Sequence, residues 1–250
     1  MQKFFVAGMP RTGSTLLATT LDQHPGIKML GELFHPVARE RSGPHAIVRS
    51  DGSTRFFDPN AEDGIEFLRN EVWPAPAPEA GAIGFKLFGD YLKAPTTERL
   101  FMRIFEAFPD TKLVTIWRNN LLDCLISRQV ARASGKWMES AKARRSKVPA
   151  AVVSIDPIEA ENFFKGYSDV KGFLDSLSKQ VPSFAVDYDE LVRDFAGVSA
   201  RLFSFLELEK VPVKQALKKQ AQFPQSHYVK NWKELREHFS STDYEKYFID

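Results

Sequence analysis

Apolar positions in this chain fall into short continuous runs that alternate with longer segments of helical period. Phe4 to Ala7 is unbroken and closes at Gly8. A run of that kind suits a strand buried on both faces of a parallel sheet. Ser14 to Gln23 follows with Leu17 and Leu21 four apart, on one face of a helix. His24-Pro25-Gly26 stops it. Ile27 to Leu30 and Ile83 to Phe88 predict further strands. Thr97 to Phe108 reads as a helix, because Phe101, Ile104, Phe105 and Phe108 keep helical spacing up to Pro109-Asp110. Lys112 to Trp117 predicts the next strand. Asn119 or Asn120 then caps a helix carrying Leu122, Leu125, Ile126 and Val130 inside. From Asp156 a long helix places Phe163, Tyr167, Val170, Leu174 and Leu177 on one face. Ser183 to Tyr188 predicts a late strand, with helix around Leu191 and again from Leu202 to Leu206.

Strand and helix therefore alternate along the chain. That order predicts an α/β fold, a parallel sheet flanked by helices. No internal repeat interrupts it, and the stretch Trp73 to Pro78 reads as a loop rather than a linker, so residues 1–250 are expected to form a single domain. Residues 139–149 carry Lys142, Arg144, Arg145 and Lys147 without apolar periodicity and read as an exposed basic loop.

Composition narrows the function classes. A chain of 250 residues with 43% hydrophobic residues and 21 phenylalanines can fill a sizeable core. The formal net charge of +2 lacks the basic bias of a nucleic-acid binder. The single cysteine, Cys124, excludes an intramolecular disulfide framework. No apolar run approaches the length of a transmembrane segment. Met1 to Gly8 is too short for a signal peptide and reads as a core strand, so a cytoplasmic protein is expected.

The chemistry concentrates first in Gly8-Met9-Pro10-Arg11-Thr12-Gly13-Ser14-Thr15, between the first strand and the first helix. Its glycines keep the P-loop spacing, but Ser14 stands where a P-loop has lysine. Gly13 lets the backbone approach an anion closely, and the helix N-terminus adds partial positive charge. Thr12, Ser14 and Thr15 add hydroxyl donors, and Arg11 restores a full positive charge. The lysine that would reach the β- and γ-phosphates of a nucleoside triphosphate is missing, which argues against a standard ATPase or kinase. A small-molecule or nucleotide kinase with a degenerate loop, dependent on Mg²⁺, is the alternative class, and a catalytically silent nucleotide-binding module is a third.

Pro10-Arg11-Thr12-Gly13-Ser14-Thr15, the apolar helix, His24-Pro25 and then Gly31-Glu32 together resemble the 5′-phosphosulfate loop of sulfotransferases that use 3′-phosphoadenosine 5′-phosphosulfate (PAPS). The likeness is to bacterial carbohydrate sulfotransferases of the nodulation-factor type and, over this opening segment, to tyrosylprotein sulfotransferases. It implies a P-loop-like fold, PAPS as sulfuryl donor, 3′-phosphoadenosine 5′-phosphate as product and no metal in the transfer step. The implied acceptor is a hydroxyl on a carbohydrate or glycolipid; a peptide tyrosine and a small hydroxylated metabolite stay open.

The same resemblance assigns roles elsewhere. Arg118 at a strand end and Ser127 on the next helix look like the family's clamp on the 3′-phosphate, an arginine fork completed by a hydroxyl. Better-known members separate the two residues by one position fewer, which would place Asn119 in the arginine register; nodulation-type members resemble the spacing seen here. Gly135-Lys136-Trp137 is also similar to the nodulation type, with Trp137 either packing or lining an acceptor cleft. Val186 to Val192 resembles a late element of the family and is explained by a strand end and a helix cap. Lys218 and Lys219 lie where the family often closes a basic loop over the nucleotide, and each also reads as part of a solvated helix face.

Sulfuryl transfer needs a base for the acceptor hydroxyl and positive charge for the transferred group. Glu32, directly after Gly31 at a strand end, is the candidate base, in the position used by tyrosylprotein and bacterial carbohydrate sulfotransferases. His35 is the alternative, since cytosolic sulfotransferases use histidine. Lys86 is a charge set in an apolar strand. It either projects into the cleft toward the acceptor or the sulfuryl oxygens, or reaches solvent at a strand edge.

Overall fold

The computed structural model describes residues 1–35, 46–49, 51–74, 81–88, 95–138, 140, 148–217 and 223–249. Most of the expected basic loop at 139–149, the prolines at 76 and 78, and Lys218 and Lys219 lie outside the described residues.

Seven strands and eight α-helices are described: β1 Gln2–Gly8, α1 Ser14–Leu21, β2 Ile27–Met29, β3 Ile47–Val48, β4 Thr54–Arg55, α2 Gly64–Phe67, β5 Ala82–Phe88, α3 Pro95–Ala107, β6 Lys112–Trp117, α4 Leu121–Ser134, α5 Pro157–Ser178, β7 Ser183–Asp187, α6 Tyr188–Arg193, α7 Phe195–Phe205 and α8 Trp232–His238. Five of the strands form one parallel sheet in the order β2-β5-β1-β6-β7, and β3 and β4 make a separate antiparallel pair. The fold is the α/β class expected from the sequence, a parallel sheet flanked by helices.

The alternation of side chains along β1 divides the core in two. Phe5 and Ala7 face one side with Phe85 and Leu113, under Phe101 and Ile104 of α3 and Phe164, Tyr167 and Leu174 of α5. Phe4 and Val6 face the other side with Val114 and Ile116, under Leu17 and Leu21 of α1 and Leu202 and Phe203 of α7. Both faces are thus covered, which is why the strand sequences read as continuous apolar runs.

Local signals set the helix starts. Asp156 caps α5 by accepting from the Ile158 N–H at 3.0 Å, and Asn120 caps α4 by accepting from the Asp123 N–H at 3.0 Å. Gly135, at φ 70°, ends α4 in the left-handed conformation. The sequence reading did not anticipate the C-terminal elements. A 3₁₀ turn at Gln225–His227, α8 and a second 3₁₀ turn at Glu245–Tyr247 fold back so that Phe239, Tyr244 and Tyr247 ring Phe164 of α5 at centroid distances of 5.6, 5.2 and 5.2 Å. Among the described residues no helix is long and apolar enough to cross a membrane.

Gly84 in β5 shows how tightly the layers meet. The Phe4 ring lies directly on it, and a Cβ there would sit 2.3 Å from a ring carbon. Phe4 is fully buried and has no room to yield. Gly84→Ala is therefore expected to cost about 1–3 kcal/mol through overpacking. Urea unfolding monitored by tryptophan fluorescence measures it; an unchanged midpoint would mean that the sheet relaxes around the methyl group.

Candidate active site

The carboxyl ends of β1, β2, β5 and β6 bring the singled-out residues to one edge of the sheet, the edge where open α/β sheets bind ligands. The loop after β1 starts under pressure. A Cβ on Gly8 would lie 2.7 Å from the Ile116 carbonyl oxygen. Gly13 takes φ 97° and packs against Tyr188, whose ring would be 2.4 Å from any Cβ. Only glycine combines that dihedral with that approach. Arg11 also has a positive φ, 70°, a conformation that is costly for a residue with a side chain.

Three loop carbonyls are held by side chains from within and around the loop. The Thr12 hydroxyl donates to the Met9 carbonyl at 2.7 Å. The Tyr167 hydroxyl, brought up by α5, donates to the Pro10 carbonyl at 2.8 Å. The Cys124 thiol donates to the Arg11 carbonyl at 3.7 Å. Burial pushes the Cys124 thiol up to about 12, so it stays protonated and its contact is structural. A loop with its carbonyls tied back in this way is suited to present N–H groups to an anion. Helix α1 begins at Ser14 with Gly13 as its cap residue, which has no side chain to cap the first turn. Ser14 is buried at the start of that turn.

Arg11 does not fold back over its own loop. Its Nε and Nη2 donate to Ser127 Oγ at 3.0 and 2.9 Å, and its Nη1 donates to the Trp137 carbonyl at 2.8 Å. The guanidinium also lies 6.0 Å from the Trp137 ring centroid. Burial, the largest influence, lowers the Arg11 pKa, and the nearby Arg118 pulls it the same way; the group remains a cation. Ser127, which the sequence associates with Arg118, is thus in contact with Arg11.

Arg118 is buried at the end of β6, only 4% exposed. Its Nη2 donates to Asp123 Oδ2, and its guanidinium lies 4.9 Å from the Tyr188 ring centroid. Burial by itself would lower its pKa; the negative charge of its neighbours, Asp123 among them, outweighs that and holds it above the usual arginine value. The neighbouring Asn119 instead donates to Asp187 Oδ2 at 2.6 Å, across to the end of β7.

On the other side of β1, Lys86 is 5% exposed yet charged. It pairs in register with Val6 and so projects to the α1 face of the sheet. Its Nζ donates to Glu32 Oε1 at 2.8 Å and to Thr15 Oγ1 at 3.3 Å. Glu32 is carried there by the segment after β2, where the Leu30 N–H donates to the Gly84 carbonyl and the Lys86 N–H to the Gly31 carbonyl. His35 sits one turn on, its N–H donating to the Glu32 carbonyl at 3.1 Å. The ion pair keeps Lys86 buried rather than at a solvent-facing edge.

Sequence reasoning missed four contributors. Asp123 carried a signal, an acid in the first turn of a helix, but that position is equally explained by the helix dipole. Tyr188 read as the end of the late strand, whereas it opens α6 and its ring covers Gly13 and Arg118. Tyr167 read as core, and only its hydroxyl reaches the loop. Gln225, which donates to Asp123 Oδ1 at 2.9 Å, had no signal, since 102 residues separate the partners.

Comparison with known proteins identifies the family. Residues 3–212 match the family model described as the sulfotransferase family. Nodulation protein H of Rhizobium meliloti strain 1021 is 24% identical over 249 residues, covering 99% of this chain and 95% of that protein. Nodulation protein H of Rhizobium tropici is 22% identical over 250 residues, covering 99% and 93%. A crystal structure of a sulfotransferase from Alicyclobacillus acidocaldarius superimposes with a TM-score of 0.49 at 18% identity, over 96% of this chain and 91% of that one. With the family model spanning most of the chain, from β1 to beyond α7, the protein belongs to the sulfotransferase family.

Proposed function

We propose that this sulfotransferase takes its sulfuryl group from PAPS and places it on a hydroxyl of a carbohydrate or glycolipid in the cytoplasm. The observation that carries the reading is the Lys86–Glu32 pair, 2.8 Å apart, with Lys86 also reaching Thr15 in the first turn behind the anion loop. A carboxylate and a cation thereby flank the place where a donor anion would lie. The residues present suit such a donor. Arg11, Lys86 and Arg118 supply charge, Thr12, Ser14, Thr15 and Ser127 supply hydroxyls, and the uncapped start of α1 supplies backbone donors. Arg118 also keeps a buried Nε–H that has no hydrogen-bond partner among the described residues.

PAPS supplies an activated sulfuryl group on a 5′-phosphate leaving group. In this reading the anion loop from Arg11 to Thr15 binds the 5′ end, and Arg118 with Ser127 binds the 3′-phosphate. Glu32 accepts the proton of the acceptor hydroxyl as the new bond forms. A carboxylate is too weak to remove that proton beforehand, so it acts only in the transition state. Lys86 orients the Glu32 carboxylate through its hydrogen bond and offers its charge to the sulfuryl oxygens, where negative charge accumulates. His35, one turn from Glu32, is the other candidate base. The likeness to carbohydrate sulfotransferases of the nodulation-factor type supports the acceptor class, and a screen of hydroxyl acceptors with radiolabelled PAPS tests it.

Binding of 3′-phosphoadenosine 5′-phosphate without metal is the first expected outcome, measured by calorimetry in the presence of chelator. Tighter binding of ATP with Mg²⁺ would promote the kinase reading instead. Arg11→Ala is expected to weaken that binding and slow transfer together, by roughly 1.5–3 kcal/mol for each charge-assisted hydrogen bond lost. Kinetics equal to wild type would show that Arg11 serves the protein's own contacts and not the donor.

Glu32→Gln separates chemistry from binding. Turnover should fall by about 10²–10⁴ while affinity for the product nucleotide holds, because the base meets the acceptor and not the donor. His35→Ala made in parallel should do much less. Loss of turnover in His35→Ala with an active Glu32→Gln enzyme would reverse the two roles.

A further inference from the structure

Arg118, the proposed 3′-phosphate ligand, is oriented by a chain of hydrogen bonds that ends in the C-terminal segment. Its Nη2 is taken by Asp123 Oδ2. The other oxygen of that carboxylate, Oδ1, accepts from Gln225 Nε2 at 2.9 Å. Gln225 is buried, and the same Nε2 donates to the Tyr247 carbonyl at 3.0 Å, while its Oε1 accepts from the Ile249 N–H at 3.1 Å. Asn120, the cap residue of α4, closes the ring by donating to the Tyr247 carbonyl at 2.9 Å. The partners fix which way the Gln225 amide faces. Reversed, its oxygen would meet a carboxylate and a carbonyl, and its NH₂ would meet an N–H.

We infer that Gln225 is a positioning residue for the 3′-phosphate: it transmits the docked state of residues 247–249 through Asp123 to the Arg118 guanidinium. This rests on the reading of Arg118 given above. The physical argument is one of freedom removed. Each hydrogen bond to a buried carboxylate narrows its rotation about the Cβ–Cγ bond, and the guanidinium it holds turns with it. With Oδ1 held by Gln225 and Oδ2 by Arg118, the plane of the carboxylate is set from both sides. The guanidinium is then fixed with its Nε–H as an unspent buried donor. A phosphate oxygen is the kind of acceptor that such a fork favours. Arg118 also lies against Tyr188, whose ring rests on Gly13, so the chain continues to the anion loop. Docking of the C-terminal segment and recognition of the 3′-phosphate are therefore coupled.

The experiment compares wild type, Gln225→Met and Asp123→Asn. Gln225→Met keeps the length of the side chain and removes its hydrogen bonds; Asp123→Asn removes the charge facing Arg118. Calorimetry measures affinity for 3′-phosphoadenosine 5′-phosphate and for adenosine 5′-monophosphate, which lacks the 3′ group. Both variants should bind the bisphosphate about tenfold more weakly, the worth of one hydrogen bond to a charged group. Affinity for the monophosphate should hold. An equal loss for both nucleotides would make Gln225 a merely structural residue, and no loss for either would remove the coupling; each overturns the inference. A second readout does not need the nucleotide. In wild type and Gln225→Met without ligand, the Arg118 Nε–Hε resonance should shift and exchange faster in the variant. If wild type binds neither nucleotide, the cofactor reading fails and this resonance alone decides the coupling, an unchanged signal overturning it.

Discussion

Two cations are buried at the carboxyl edge of the sheet, and each is held there by a carboxylate. Lys86 is faced by Glu32, and Arg118 by Asp123. An unpaired charge at such depth would cost several kcal/mol, so neither cation is tolerable alone. The pairs fix more than themselves. Lys86 draws the segment after β2 against β5, which is where Glu32 is needed in the proposed chemistry. Arg118 fastens the end of β6 to the first turn of α4, and α4 in turn delivers Ser127 to Arg11. A pair kept for its worth in stability alone could be replaced by apolar residues of the same volume. What an apolar pair could not supply is charge on both flanks of the loop from Arg11 to Thr15.

The strain in that loop fits the same picture. Gly8 and Gly13 stand where a Cβ would strike backbone or ring, and Arg11 adopts a dihedral that its side chain disfavours. The conformation is held by hydrogen bonds to its carbonyls from Thr12, Tyr167 and Cys124, the last two rooted in α5 and α4. Each of those helices packs on the face of the sheet that carries Phe5 and Ala7. The shape of the anion loop is thus paid for by core packing behind it, which leaves its amides undisturbed on the other side.

Where information was local, the sequence was a good guide. The strand Lys112 to Trp117 reads directly from its apolar run, and the starts of α1 and α5 from Gly13-Ser14 and Asp156-Pro157. The loop and Glu32 were legible as places in the fold, a glycine turn before α1 and a carboxylate after β2; the anion and the proton they would handle belong to the proposed chemistry. Lys86 was legible as an anomaly, a charge in an apolar strand, but the identity of its partner was not. Partners are the part that local pattern does not encode. Arg118 and Ser127 stand in the right order for a clamp, yet the side chain that reaches Ser127 comes from the β1 loop, 116 residues away. The C-terminal elements were illegible for a related reason. They are short, and their aromatic residues are spaced to fit Phe164 rather than to repeat along a helix.

The departure of the loop from P-loop chemistry has a structural counterpart. A lysine at position 14 would rise from α1 itself and bring charge to the loop from its own helix. Ser14 instead is buried, and the cation that reaches the first turn of α1 is Lys86, from β5, 3.3 Å from Thr15 Oγ1. Moving the charge to a neighbouring strand changes what it can touch. A lysine on α1 would be committed to phosphate oxygens beyond the loop. Lys86 stands between the loop and a carboxylate, so in the proposed reaction one side chain would meet both the leaving anion and the base. A triphosphate-binding loop has no use for such a bridge, because its reaction draws on Mg²⁺ for the same neutralisation. The substitution at Ser14 and the charge at Lys86 are in that sense one feature, read at two positions 72 residues apart.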